Sequence, residues 1–227
     1  MFSDAYGLVR RFTRPVVLSH PDSGSVPLCG TLIAVNRSGW MLTAKHVLAG
    51  SGRMEPGSLG ERLMLGWPGL GVEDLIVDSK SDLALAKVGP FDSELTNEYP
   101  SFPREGGVEA GMSVGRLGFA PESAGSGFES AGILFNEGIV SRIYQKDGVK
   151  YFITSSPGIK GQSGGPVFDR DGTVVGIQTS TRSAEIGYAM ITDSGSAAGL
   201  KSNEGIAIHV ETVRDFLDAA GVSYRLV

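Results

Sequence analysis

Residues 158–169 read GIKGQSGGPVFD, and the fold turns on the residues just after the serine. Gly161-Gln162-Ser163-Gly164-Gly165 satisfies G-x-S-x-G, the spacing of an elbow that presents a serine nucleophile where a strand enters a helix. Here the serine is followed by Gly164-Gly165-Pro166, the β-prone PVFD, a turn and the run TVVGIQTS (173–180). Two glycines, a proline and a β-branched run exclude a helix at that place. The same letters also suit a plain turn, because Gly and Ser are common turn residues. What separates a nucleophile from a turn is a base, and a group that fixes the tautomer of that base.

The chain contains His20, His46 and His209, so candidate bases can be enumerated. The order serine, acid, histidine would use Asp193 and His209, but it belongs to the strand-to-helix elbow that Gly165-Pro166 rules against. His209 also lies in the alternating run GIAIHV (205–210), where a half-buried or surface position is expected. The order histidine, acid, serine uses His46, which comes after the strand-like GWMLTA (39–44) and opens a short helical turn near 46–50. Asp82 opens DLALAKV (82–88) and shares one face with Ala84, Ala86 and Val88. A carboxylate on an inward strand face is costly unless paired, and an imidazole N–H is its natural partner. Asp74 and Asp78 read as solvated residues at a strand end.

The 227 residues suffice for one large domain or two small ones. With 41% hydrophobic and 20% charged residues the composition is that of a globular chain. The 33 glycines, spread between short apolar runs without a three-residue period, point to many tight turns and an all-β fold. A net charge of −5 without a basic stripe argues against nucleic acid. No apolar stretch approaches the roughly 18 residues of a membrane span. Cys29 is the single cysteine, which excludes an intrachain disulfide and suits a reducing, cytoplasmic setting. No signal peptide is read at the N-terminus. The isolated histidines and the cysteine form no ligand-spaced cluster, so neither a metal nor an organic cofactor is expected.

About a dozen short runs rich in Val, Ile, Leu and Phe, punctuated by Gly, Pro, Asn or Asp, predict antiparallel barrels or a sandwich. Asn36-Arg37-Ser38-Gly39 and Asp169-Arg170-Asp171-Gly172 read as hairpin turns. One helix is expected at about 212–220, with Val213, Phe216, Leu217 and Ala220 on one face, capping-box spacing at Thr212 and Asp215, and Gly221 after its end. Residues 90–111, 121–132 and 181–204 read as surface loops.

Thr43-Ala44-Lys45-His46, Ser81-Asp82-Leu83-Ala84-Leu85 and Gly161-Gln162-Ser163-Gly164-Gly165-Pro166 resemble, in order, the three signature segments of chymotrypsin-fold (trypsin-like) serine proteases. The resemblance covers nearly the whole chain. It implies an all-β fold of two antiparallel six-stranded β-barrels, one over about 12–105 and one over about 110–210, with the C-terminal α-helix appended and the active site between them. It implies catalysis by His46, Asp82 and Ser163, with an oxyanion hole formed by the Gly161 and Ser163 N–H groups. The alternative is a catalytically silent domain of the same fold that serves binding or scaffolding.

Departures from the pancreatic enzymes refine the likeness. Gln162 stands where those enzymes carry the aspartate of their activation ion pair, and disulfides are absent. Both features are closer to bacterial Deg-type protease domains, to whose last strand and helix GIAIHVETVRDFL is similar; their PDZ module is not expected in a sequence that ends shortly after that helix. By the same resemblance the P1 pocket is walled by residues near 156–160, including Pro157, by Thr179-Ser180-Thr181, and by Gly205-Ile206-Ala207. Without a carboxylate at its base, the pocket is not expected to prefer Arg or Lys. A small or medium apolar P1 is the expectation, with Lys160 at the rim favouring an acidic one as the other reading. A protein or peptide substrate is implied, and Deg-type relatives suggest control by a regulatory protein partner through loop ordering.

Overall fold

Hydrophobic runs separated by tight turns build two successive sheets. The computed structural model describes residues 1–18, 28–49, 63–65, 70–89, 91–92, 96–121, 131–191 and 197–227. The first sheet contains β1 (Thr13–Leu18), β2 (Leu28–Ala34), β3 (Trp40–Ala44), β4 (Leu63–Leu65), β5 (Gly71–Val77) and β6 (Leu83–Gly89), in the order β4-β1-β2-β3-β6-β5. Among the described residues no ladder joins its end strands β4 and β5. The second is a closed barrel of β8 (Ser113–Pro121), β9 (Ala131–Lys146), β10 (Val149–Thr154), β11 (Pro166–Phe168), β12 (Val174–Ile191) and β13 (Ala197–His209), ordered β10-β13-β12-β11-β8-β9. β7 (Ser101–Phe102) and β14 (Arg225–Leu226) pair in parallel and tie the C-terminal segment to the stretch between the sheets.

The two predicted hairpin turns form as read. Gly39 N–H donates to Asn36 O and Gly172 N–H to Asp169 O, with both glycines at positive φ. β6 departs from simple alternation: Leu83, Ala84, Leu85 and Ala86 are all buried, so both faces of the strand are covered. The expected loop over 181–204 is mostly a ribbon. β12 and β13 pair from Thr181↔Gly205 to Glu185↔Lys201 and, after an irregularity, from Ala189↔Gly199 to Ile191↔Ala197, and Thr181, Arg182 and Ser183 at the ribbon's root are exposed. A two-stranded ribbon satisfies its backbone from its own ladder, so its sequence need not alternate. Among the described residues of 90–111, β7 is the one strand, and 122–130 of the third expected loop lie outside the described residues.

A helix that the sequence did not announce opens the chain: α1 (Ser3–Val9). It buries Ala5 and Val9, one turn apart, while Phe2 and Tyr6 pack on Phe135 and Phe2 also meets Phe168. Seven residues including Gly7 are too few for a periodic signal, and packing on β9 and β11 supplies what propensity lacks. α2 (Lys45–Ala49) is the expected short turn after β3.

α3 (Val210–Ala219) begins two residues earlier than predicted. His209, not Thr212, is its cap: Nδ1 accepts from Glu211 N–H at 3.1 Å, while Thr212 Oγ1 accepts from Lys150 N–H. His209 is 1% exposed, and burial, with a smaller push from Lys150, lowers its pKa to about 4. Glu211 raises it slightly and Arg214 adds to the lowering. The unfolded chain therefore takes up a proton near pH 6.5 that the folded state refuses until about pH 4. Stability from this group is complete above pH 6.5 and is lost as pH falls toward 4. Going from about pH 7 to about pH 5 is expected to remove about 2 kcal/mol. Urea midpoints at the two pH values check this, and His209→Asn, which retains a capping oxygen, is expected to flatten the dependence.

Candidate active site

Register places the first two candidate residues side by side. β3 and β6 run antiparallel with Ala44 opposite Leu83, so the residues leaving β3 meet the residue entering β6. Lys45 N–H donates to Asp82 O at 3.0 Å and fixes the start of α2. His46 N–H donates to Asp82 Oδ1 at 3.0 Å, and His46 Nδ1 lies 2.6 Å from Asp82 Oδ2. Asp78, read as a solvated residue, instead closes the turn that presents Asp82 by accepting from Lys80 N–H, Ser81 N–H and Ser81 Oγ–H. Thr179 Oγ1–H also donates to Asp82 Oδ2, so both carboxylate oxygens are engaged. Burial raises the Asp82 pKa, but the hydrogen bonds from His46 and Thr179 and the charge of His46 outweigh it and hold the group below the usual carboxylate range. An ionised Asp82 keeps the proton on His46 Nδ1 and leaves the Nε2 lone pair available as a base.

The serine loop is held from three directions. Thr31 of β2 donates its N–H to Ser163 O at 2.8 Å and its Oγ1–H to Gly161 O at 2.7 Å, clamping the loop to the first sheet. Gly164 N–H donates to Gln178 O, and Gln178 N–H to Gly165 O, which secures it to β12. Gln162 is fully buried: Ile159 N–H donates to its Oε1 at 2.9 Å and its Nε2 donates to Asn136 Oδ1 at 3.0 Å. The Gln162 side chain thus braces the 159–162 turn, a role visible only once Asn136 of β9 is beside it. Asn136 in turn donates to Pro157 O at 2.9 Å.

Gly161 sits at φ 97°, and the N–H groups of Gln162, Gly164 and Gly165 are bonded within the fold. Among the described residues no acceptor meets the N–H of Gly161 or of Ser163. Paired backbone donors are the rule in protein interiors, so two unpaired ones in the same short loop are suited to a developing oxyanion. Ser163 Oγ–H itself donates to the Thr179 carbonyl at 3.2 Å, and among the described residues no hydrogen bond joins it to His46. Thr179 was expected in the pocket wall. Its side chain instead braces Asp82 while its carbonyl holds Ser163, linking acid and nucleophile through one residue.

Of the other expected pocket residues, the structure brings Pro157, Ser180, Thr181 and Gly205 together. Thr181 Oγ1–H donates to Gly158 O, Gly205 N–H donates to Ser156 O, and Ser180 is exposed. Gly205 pairs with Thr154 on one side and Thr181 on the other. Ala207 is fully buried between Phe152 and Gln178 and lines no open surface. A residue unflagged in the sequence, Arg116 of β8, lies behind this wall and donates to Pro157 O at 2.7 Å. The only sequence signal was a charge inside the apolar run MSVGRLGF. His209 serves α3 as its cap, and His20 and Asp193 lie outside the described residues.

Known proteins resemble this chain in sequence profile and in fold. Residues 30–177 match the profile of a family described as a trypsin-like peptidase domain. An uncharacterised protein of Sinorhizobium fredii, y4bJ, is 26% identical over 209 residues, which are 89% of this chain and 29% of that protein. The chain thus spans less than a third of the curated relative it matches. The solved HtrA-type protease AlgW with a decapeptide superposes with a TM-score of 0.64 at 18% identity, covering 97% of this chain and 68% of that one. The active form of the Rv3671c protease from M. tuberculosis gives 0.64 at 16% identity, covering 98% and 86%. At such identities the likeness is one of fold.

Proposed function

The chain belongs to the trypsin-like peptidase domain family, and from that premise we propose that it is a serine endopeptidase working through His46, Asp82 and Ser163. The observation that carries the reading is the 2.6 Å contact of His46 Nδ1 with Asp82 Oδ2, joined through Thr179 to Ser163. Ser163 Oγ turns from the Thr179 carbonyl to His46 Nε2 and attacks the scissile carbonyl carbon as Nε2 takes its proton. Asp82 stabilises the imidazolium. The new oxyanion accepts from the Gly161 and Ser163 N–H groups, and each such donor contributes about 3–4 kcal/mol to the transition state. His46 then protonates the leaving amine, and water releases the acyl group by the same steps in reverse.

The resting bond of Ser163 to Thr179 supports a gate: substrate, or a partner protein that orders the serine loop, shifts the hydroxyl toward His46. The first sheet acts as the second barrel wall of the groove. A protein or peptide is the substrate, a reading supported by the peptide-bound AlgW structure. Arg and Lys are disfavoured at P1, because the charge standing behind the expected pocket wall is the guanidinium of Arg116.

A fluorophosphonate probe is expected to label Ser163 in the wild-type protein and to leave Ser163→Ala unlabelled, read by intact mass. A folded protein that resists labelling even with candidate activating peptides would favour the silent binding domain.

A further inference from the structure

Arg116 is the largest of the fully buried side chains, at 1% exposure, and it carries a charge. Nη1 donates to Pro157 O at 2.7 Å and to Ser156 O at 3.3 Å, and Nη2 donates to Thr154 Oγ1. Among the described residues it makes no ion pair, and its buried Nε–H has no acceptor. Burial lowers its pKa to about 10, with no charged neighbour contributing, so the guanidinium stays protonated at neutral pH. A buried cation without a counter-ion is among the costliest arrangements a fold can retain, and an apolar side chain of similar size would be cheaper.

The place of this charge gives it a use. The strand segment carrying Gly205 passes directly over the guanidinium: a Cβ at position 205 would strike Nη2. Only glycine leaves Nη2 its room beside this strand, which the resemblance makes a wall of the P1 pocket. Ser156 and Pro157, whose carbonyls it grips, stand on the same side of the groove as Thr181, and the serine loop comes next in the chain. The surrounding atoms are polar: the hydroxyls of Thr154, Ser156 and Thr181 and the amides of Asn136 and Gln178. Lys160, exposed on the serine loop, adds a second positive charge.

We propose that Arg116 is a specificity-determining residue and that the groove selects an acidic P1 side chain, Asp or Glu, whose carboxylate supplies the counter-charge that the fold withholds. The inference rests on the endopeptidase reading and replaces the apolar P1 expected from sequence. Nε–H, buried without an acceptor, and the adjoining Nη2, which also holds Thr154 Oγ1, are the pair of donors that a carboxylate would engage in the planar geometry arginine favours once bound substrate opens the wall at Gly205.

The test is a cleavage profile of the full chain on peptides differing only at P1. Glu or Asp is expected to exceed its isostere Gln or Asn in kcat/KM by on the order of 100-fold, as opposite charges in a partly dry site require. Arg116→Met is expected to shrink the Glu:Gln ratio to within a few-fold while Ser163 still takes the fluorophosphonate, and Arg116→Lys to keep part of it. Should Arg116→Met fail to fold, the wild-type ratio serves: it is expected to fall toward unity as pH drops through about 4.3, where the P1 glutamate is protonated, because effects on the triad cancel in the ratio. Equal or better cleavage after Val, Ala or Leu, with Ser163 labelled, overturns the acidic preference alone. A folded chain that neither labels nor cleaves overturns the endopeptidase reading and this inference with it.

Discussion

Asp82→Asn is expected to lower kcat for peptide hydrolysis by about 10⁴-fold at neutral pH while leaving the fold intact. The substitution preserves volume, His46 N–H can still donate to the amide oxygen at the Oδ1 position, and the Thr179 hydroxyl, which donates to Oδ2 in the wild type, can rotate to accept from the amide NH2 that replaces it. What changes is the atom facing His46 Nδ1. An amide NH2 there makes Nδ1 the acceptor and moves the imidazole proton to Nε2, the nitrogen that must receive the serine proton. The counter-charge for the imidazolium disappears as well. Melting temperature and circular dichroism are expected to stay near wild type, so the loss reads on chemistry. A fall of less than tenfold would mean that Asp82 does not orient the base.

Gly164→Ala is expected to cost about 3–5 kcal/mol of stability and to abolish labelling of Ser163. Gly164 lies at φ 83°, where a Cβ is strained in itself. That Cβ would also collide with Thr31 O and Thr43 Oγ1, and it would stand 2.9 Å from Ala44 N. None of these atoms can retreat cheaply. Thr31 O accepts from Thr43 Oγ1, the Thr31 N–H holds Ser163 O, and Ala44 leads directly into the helix bearing His46. Gly148→Ala is the control: it has a similar φ of 79° with nothing within 4 Å. Its expected cost is the dihedral term alone, about 1–2 kcal/mol. Urea midpoints of the two variants separate strain from collision; equal losses would mean that the close approach of the serine loop to β2 and β3 carries no energy.

Much of the framework was legible because it depends on short-range chemistry. Gly39 and Gly172 mark their turns by the dihedrals they permit, and the apolar runs mark most strands. Gly165-Pro166 decided against the strand-to-helix elbow for a purely local reason. Features without a local signature were missed or misread. α1 is too short to show a period, and the β12–β13 ribbon needs no apolar face. The start of α3 shifted because a buried histidine just upstream of the expected start serves as its cap.

For the site, the chain by itself determined the types and order of the residues: a histidine after a strand, an aspartate before one, and a serine among glycines. Residue type and order are properties of a linear string, and local backbone preferences derive from them. Only the tertiary structure decided which groups meet. The Ala44–Leu83 register sets His46 on Asp82, and Thr179 faces inward to Asp82 while its carbonyl takes Ser163. Gln162 finds Asn136 of β9, and Arg116 comes to rest beside Gly205 without a counter-ion among the described residues. Such pairings join residues far apart in the chain, and their energies depend on burial and on the presence or absence of a partner, which the packed fold alone sets.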